Sequence, residues 1–318
     1  MYLDESILDS AERITLALRG LYRQYGYARY RMGKFEEYDL YGKNKDFLIS
    51  ENVITFIDTD GRLMALKPDV TLSVVQHHRD DPDALLKLCY NENVYRVSKG
   101  SGSFREIQQS GVECIGNVDA ACLGEMLLLA AKSLALCTPS FVLEVSHLDI
   151  LMSFLTDVAV DDRAALLKCV NEKNLHGAAE LCRASGVPSE RIEALKALLG
   201  LYGPTARVLP RLRELCEGRG LEATLAELEG ALSALGGSGL EDRVQLDFSA
   251  VGNLNYYNGI LFRGFVEGLP DSVLSGGQYD KLMQKLGRRS RAVGFAVYLE
   301  ELERLGDKEN GGEVLSHA

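Results

Sequence analysis

A chain of 318 residues, 46% hydrophobic and 25% charged, has the composition of an ordinary globular protein and the length for two domains, or for one large domain with an insertion. Against 35 Lys and Arg stand 46 Asp and Glu, a formal net charge of −11 that argues against a general nucleic-acid coat, since phosphate binding needs concentrated cations. No apolar run reads as long enough to span a bilayer. The opening MYLDESILDS carries acids rather than a basic leader, so no signal peptide is expected and the location implied is the cytoplasm.

In chain order, residues 5–26 place Ile7, Leu8, Ala11, Ile14, Leu18 and Leu21 near helical spacing, which predicts an amphipathic helix. Residues 53–70, VITFIDTDGRLMALKPDV, put two apolar runs around a DTDGR turn, a hairpin pattern. A helix is expected from about Thr71. Two strand-like runs follow around a Gly/Ser loop in LLKLCYNENVYRVSKGSGSFREIQQSGVECIG, then a helix over 119–137 and a strand in FVLEVSHL. From 149 to 240 the texture changes to Leu, Ala, Glu and Arg at helical spacing, with hardly any strand signal, ending at the GGSG of 236–239. Strand character returns in RVQLDFSAVGNLNYYNGILFRGFVEG. A Gly-Gly turn is expected in SGGQYDKL, and a helix closes the chain in AVGFAVYLEELERL. The pattern predicts an α+β fold with an antiparallel central sheet flanked by helices. Its core is discontinuous over 1–148 and 241–305, with a helical insertion at 149–240 and a frayed tail at 306–318.

The seven cysteines form no CxxC pair, the five histidines are scattered or adjacent, and HExxH is missing, so neither a disulfide framework, a metal site nor a cofactor is expected. Chemistry concentrates elsewhere. In the strand after the Gly/Ser loop, Arg105, Ile107, Gln109, Gly111 and Glu113 share one face. Symmetric closure of the hairpin around Lys99–Gly102 sets Arg96 against Arg105, an unfavourable pairing of like charges unless an anion lies between them. A cation, an amide and a carboxylate on one face suit a small zwitterion; they equally suit the exposed polar face of an antiparallel sheet. LKPDVT places Asp69 where it can meet an ammonium group or cap the next helix, and Thr71 where it too can cap. In NLNYYNGILF, strand alternation sends Tyr256 and Tyr257 to opposite faces. The glycines of SGGQYD permit close backbone approach.

In this order the pieces resemble the catalytic core of histidyl-tRNA synthetase and its paralogues, a class II aminoacyl-tRNA synthetase-like fold, over residues 5–305. KPDVT is similar to the pattern RPEGT, and YRVSKGSGSFREIQQSGVE to the motif-2 hairpin, with Gln108 in place of its histidine. GNLNYYNG is similar to RGLDYYTG, SGGQYD to GGRYD, and VGFAVYLEEL to the motif-3 strand and helix GFAIGLERL. The departures bear on function. Gly252 stands where the family's catalytic arginine does, Asn255 replaces the aspartate, Glu301 replaces the motif-3 arginine, Lys67 replaces the arginine of RPEGT, and Gly33 occupies the motif-1 proline position. Amino-acid activation develops negative charge on phosphate that cations must balance, so these exchanges imply that activation is lost. The chain also stops where a synthetase would begin its anticodon-binding domain.

The resemblance implies that the histidine-binding half is kept. Asp69 and Thr71 would meet the ligand's α-amino group, Arg96 and Gln109 its polar backbone end, and Glu113 and Tyr257 the imidazole, while Tyr279 lines the remaining wall and Arg105 is a further anion-binding candidate. A core of this kind is similar to one paralogous family, the regulatory subunits of ATP phosphoribosyltransferase, which act with a short-form catalytic subunit in the first step of histidine biosynthesis. The implied protein is a non-catalytic homodimer within a hetero-oligomer, with histidine as its effector and no nucleic acid, membrane or cofactor. Two other readings share these residues: an adenylating enzyme of the histidyl-tRNA synthetase type, and a synthetase-like module in another regulatory system.

Overall fold

The computed structural model describes residues 7–44, 48, 53–98, 102–156, 158, 162–254 and 256–302. Helix α1 (Ser10–Gln24) starts at a capping box: the Asp9 carboxylate accepts from the Glu12 amide at 2.7 Å, and Glu12 accepts from the Asp9 amide at 3.1 Å. Strand β1 (Ala28–Arg29), strand β2 (Phe35–Glu37) and the short helix α2 (Tyr38–Gly42) follow. The DTDGR hairpin forms as expected between β3 (Thr55–Ile57) and β4 (Leu63–Leu66). The Asp58 carboxylate accepts from the Asp60 and Arg62 amides and so closes the turn. With β2 these strands make a small antiparallel sheet in the order β2-β4-β3.

Helix α3 (Val70–His77) leads to β5 (Leu85–Val97) and β6 (Phe104–Gly116), a long antiparallel hairpin in which Arg96 pairs with Arg105, the register read from the sequence. Helix α4 (Ala120–Cys137), capped by Asp119, precedes β7 (Phe141–His147). After the 149–240 segment come β9 (Val244–Asp247), β10 (Asn258–Val266), β11 (Leu274–Gln278), helix α11 (Asp280–Lys285) and β12 (Arg291–Tyr298). Helical residues resume at Leu299. The glycines of SGGQYD do not make a turn. Gly276 and Gly277 lie inside β11, opposite Phe295 and Gly294 of β12, where a Cβ on Gly276 would stand 2.3 Å from that of Phe295. The tail 306–318 falls outside the described residues.

The 149–240 segment folds as α5 (Leu148–Thr156), α6 (Arg163–Asn171), α7 (Leu175–Ala184), α8 (Ser189–Leu199), α9 (Thr205–Cys216) and α10 (Glu222–Ser233). It also contains a short strand that its composition hides, β8 (Tyr202–Pro204), which pairs with β9. The main sheet has nine strands in the order β1-β5-β6-β12-β11-β10-β7-β9-β8. It is antiparallel except for the β1–β5 and β7–β9 pairs, which are parallel. Both exceptions lie towards the two sides of the sheet.

One apolar core runs from α1 through α4 and the sheet into the helical segment, including Leu18, Leu127, Val145, Leu195 and Leu228. Helix α4 corrects one expectation: its 18 residues are long and apolar enough, by length and composition, to cross a membrane. Here it is a core helix, with Leu123, Met126, Leu127, Leu129 and Leu134 buried against α1, α10 and the sheet. Gly124 lets α10 close on it, since a Cβ there would meet that of Ala234 at 2.6 Å. The Tyr22 hydroxyl ties α1 to Ser133 of α4 at 3.1 Å.

Candidate functional site

A cleft with about 540 Å³ of empty space, the open solvent at its mouth included, lies on one face of the sheet, where β5, β6, β12 and β11 meet the N-terminus of α3 and the turn that carries Asn253, Tyr256 and Tyr257. Asp69, Thr71, Arg96, Gln109, Glu113, Tyr257 and Tyr279, the residues singled out by resemblance, all line it. Local chemistry explains how each arrives there. The Lys67 carbonyl accepts from the Tyr95 amide at 2.8 Å, which holds the LKPDV segment beside β5. Lys67 itself is fully buried, its ammonium 2.9 Å from Glu92. Asp69 is the helix cap, accepting from the Leu72 amide at 2.8 Å. Gln109 and Glu113 alternate along β6 onto the cleft face, opposite Tyr298 and Gly294 of β12.

Glu113 is the centre of the cleft. Only 1% of its surface is exposed, yet both carboxyl oxygens are engaged, Oε1 by the Thr71 hydroxyl at 2.6 Å and Oε2 by the Tyr279 hydroxyl at 2.5 Å. Space for the carboxyl comes from a missing side chain, because a Cβ on Gly294 would lie 2.0 Å from Oε2. Burial pushes the Glu113 carboxyl up to about 8, against the lowering effect of its two hydrogen bonds, and the nearby Asp69 raises it further. Burial likewise raises Asp69, opposed by the Leu72 amide and by Arg96. The Tyr90, Tyr256, Tyr257 and Tyr279 phenols are driven well above their usual range by burial and remain neutral hydroxyls. The cleft therefore combines two acids of raised pKa, one guanidinium and several hydroxyls, a set matched to a small molecule carrying both charges.

Three local expectations are corrected. Thr71 does not cap α3, because Asp69 fills that role and frees the Thr71 hydroxyl for Glu113. Tyr256 and Tyr257 do not point to opposite faces. Both precede β10, in a turn where both amides donate to the Asn253 carbonyl, and their rings lie 4.6 Å apart on the same cleft. Strand alternation does not apply to a turn. Arg105 stands apart from the cleft lining and is paired with Glu300 at 2.5 Å, with Glu301 at 3.9 Å. These acids, rather than an external anion, relieve its apposition to Arg96, whose Nε donates to the Pro68 carbonyl at 3.1 Å. Gly252 holds a left-handed backbone, φ 56°, and borders a neighbouring groove, while Asn255 lies outside the described residues.

Sequence reasoning missed Tyr90, Ser275 and Tyr298 as lining residues. Tyr90 lies over Gly111, where a Cβ would come within 2.5 Å of its hydroxyl. Tyr298 stands where GFAIGLERL has a glycine, and its hydroxyl meets Ser275 at 2.6 Å. That exchange of glycine for tyrosine was the available signal.

Because the Glu113 carboxyl ionises near 8 in the folded chain and near 4.5 when unfolded, the folded state holds the extra proton between those values. Stability from this group is therefore full below about 4.5 and declines as pH rises towards 8. Glu113→Gln removes that slope. The melting temperature of the wild type relative to Glu113→Gln is expected to fall between pH 5 and pH 8.5, as calorimetric scans will show; a difference that stays constant would contradict the assignment.

Comparison with known proteins follows the same lines as the geometry. The family model for histidyl-tRNA synthetase matches residues 3–302. The chain is 30% identical over 289 residues to the ATP phosphoribosyltransferase regulatory subunit of Clostridium kluyveri, covering 88% of this chain and 74% of that protein. A crystal structure of an ATP phosphoribosyltransferase regulatory subunit/histidyl-tRNA synthetase from Bacillus halodurans superposes with a TM-score of 0.80 at 28% identity, covering 93% of this chain and 78% of that one. A chain of the ATP phosphoribosyl transferase (HisG:HisZ) complex from Thermotoga maritima shares the fold at a TM-score of 0.71 and 18% identity, over 93% of this chain and 97% of that one. The chain belongs to the histidyl-tRNA synthetase family, in its branch of ATP phosphoribosyltransferase regulatory subunits.

Proposed function

We propose that the chain senses free histidine in the cleft around Glu113 and passes that state to a short-form catalytic subunit of ATP phosphoribosyltransferase. The observation that carries this reading is the meeting of Asp69, Thr71, Arg96, Gln109, Glu113, Tyr257 and Tyr279 on one enclosed surface. Each Glu113 oxygen has two lone pairs and receives one hydrogen bond, so the carboxyl keeps capacity for an imidazole N–H beside Thr71 and Tyr279. Tyr257 takes the second ring nitrogen. Asp69 keeps one oxygen for the α-ammonium while the other caps α3. Arg96 and Gln109 address the carboxylate. Feedback requires that histidine bind one state of the complex better than another.

The same reading makes this a cytoplasmic subunit without its own catalysis, without nucleic-acid or membrane partners, and with the discontinuous core of 1–148 and 241–305 around the 149–240 insertion. It is a homodimer within the hetero-oligomer. Phe35 and Phe56 are exposed on one face of the small sheet, their rings 5.2 Å apart edge to face, and Ile57 and Leu63 are exposed on the other. Exposed apolar side chains of that kind suit a symmetric contact.

Three outcomes are expected. Calorimetric titration of the purified chain should show histidine binding that Glu113→Gln weakens by about tenfold to a hundredfold, the value of a charge-assisted buried hydrogen bond; equal affinities would remove Glu113 from the site. Histidine-dependent ATP–pyrophosphate exchange should stay at the no-enzyme level, because Glu301 stands at the motif-3 arginine position and Gly252 at the other; robust exchange would favour the adenylating reading instead. Light scattering at micromolar concentration should give twice the chain mass, and a monomer mass would refute the dimer.

A further inference from the structure

A second cavity adjoins the cleft, an open groove with about 1380 Å³ of empty space between helices α5 and α6 and the turn that precedes β10. In a chain whose net charge is −11, this groove gathers Arg163, Lys168, Arg263 and Lys281, and no carboxylate is found among its described lining residues. The cations are loosely held. Arg263 is 3.8 Å from Glu144, and Lys168 is 3.9 Å from Glu172, with both of the latter side chains more than half exposed. Among the described residues, Lys281 reaches the Leu254 carbonyl at 3.3 Å and Arg163 the Met152 sulfur at 3.9 Å. The Arg263 Nε is buried with no hydrogen-bond partner among the described residues, a donor that lacks its acceptor.

Arg163 opens α6 beside its Asp162 cap, and Lys281 follows Asp280 at the start of α11, so both cations are carried into the groove from helix starts. The amides of Asn171 and Asn253 supply neutral donors on the same surface. Asn253 also lines the Glu113 cleft, and Arg263 pairs across the sheet with Ser275 of that cleft, so the two cavities are neighbours.

We propose that this groove is a second ligand site that binds a diphosphate group, either free pyrophosphate or the phosphate end of a nucleotide. A diphosphate presents several charged oxygens over a length that lets guanidinium forks and ammonium groups engage it together, which a chloride or a single carboxylate does not. The site is separate from the proposed histidine contacts and stands whether or not histidine binds.

The test uses the full chain, titrated in a calorimeter with sodium pyrophosphate and, separately, with ADP, at fixed ionic strength. The comparison is Lys168→Ala/Lys281→Ala, in which both changed side chains are exposed, and Arg163→Ala as a second variant. Saturable one-to-one binding by either probe is expected, with affinity lowered at least tenfold in the double variant and lowered in Arg163→Ala, while both variants melt within a few degrees of wild type. Tighter binding of ADP identifies a nucleotide site; equal binding identifies a site for the phosphates alone. Absence of saturable heat from both probes at millimolar concentration, or affinities unchanged in both variants, would overturn the proposal. So would binding by a transfer RNA that neither probe displaces.

Discussion

The cleft depends on one buried carboxyl. Glu113 sits buried on an interior strand of a nine-stranded sheet, where an isolated charge is costly, and its place there is secured by hydroxyls from two elements distant in sequence, Thr71 and Tyr279. Those two bonds fix the N-terminus of α3 and the end of β11 relative to β6. Raising the carboxyl to about 8 leaves Glu113 mostly protonated at physiological pH, so the sheet is spared an unpaired charge there.

Around it, the strands come close because side chains are missing. Gly111, Gly276, Gly277 and Gly294 lie on adjacent strands, and a Cβ at any of them would fall within 3 Å of a neighbouring atom. The space at Gly111, Gly277 and Gly294 is taken by Tyr90, Tyr257 and the Glu113 carboxyl, and that at Gly276 by Phe295 and Phe262. The sheet therefore trades local β propensity for room at the cleft, a local inconsistency of the kind that marks functional sites. The helical segment lines the neighbouring cationic groove through Met152, Arg163 and Lys168, and Asn253 borders both that groove and the cleft.

Much of this was legible in the residues. The Arg96–Arg105 register followed from hairpin symmetry, and the DTDGR turn from its own composition. The α4 helix was visible too, although its apolar length was underrated because burial inside a sheet-and-helix core and burial in lipid select the same residues. What was hidden depended on tertiary context. The Tyr256–Tyr257 pair looked like strand alternation until the Asn253 carbonyl was seen to hold both amides in a turn. Arg105 looked like an anion site because its partners, Glu300 and Glu301, lie almost two hundred residues away in the chain. Strand β8 is a Tyr-Gly-Pro piece whose pairing comes from the edge of β9, not from its own sequence.

The central claim is that the carboxyl of Glu113 is where histidine is read. The most direct measurement is the phosphoribosyl-transfer rate of the complex assembled from this chain and its short-form catalytic subunit, followed as histidine is added, with the wild-type chain and with Glu113→Gln. If Glu113 reads histidine, both complexes turn over at similar rates without histidine, and the Glu113→Gln complex needs about tenfold to a hundredfold more histidine for the same inhibition. Equal inhibition of the two complexes would contradict it and move the sensor to the catalytic partner.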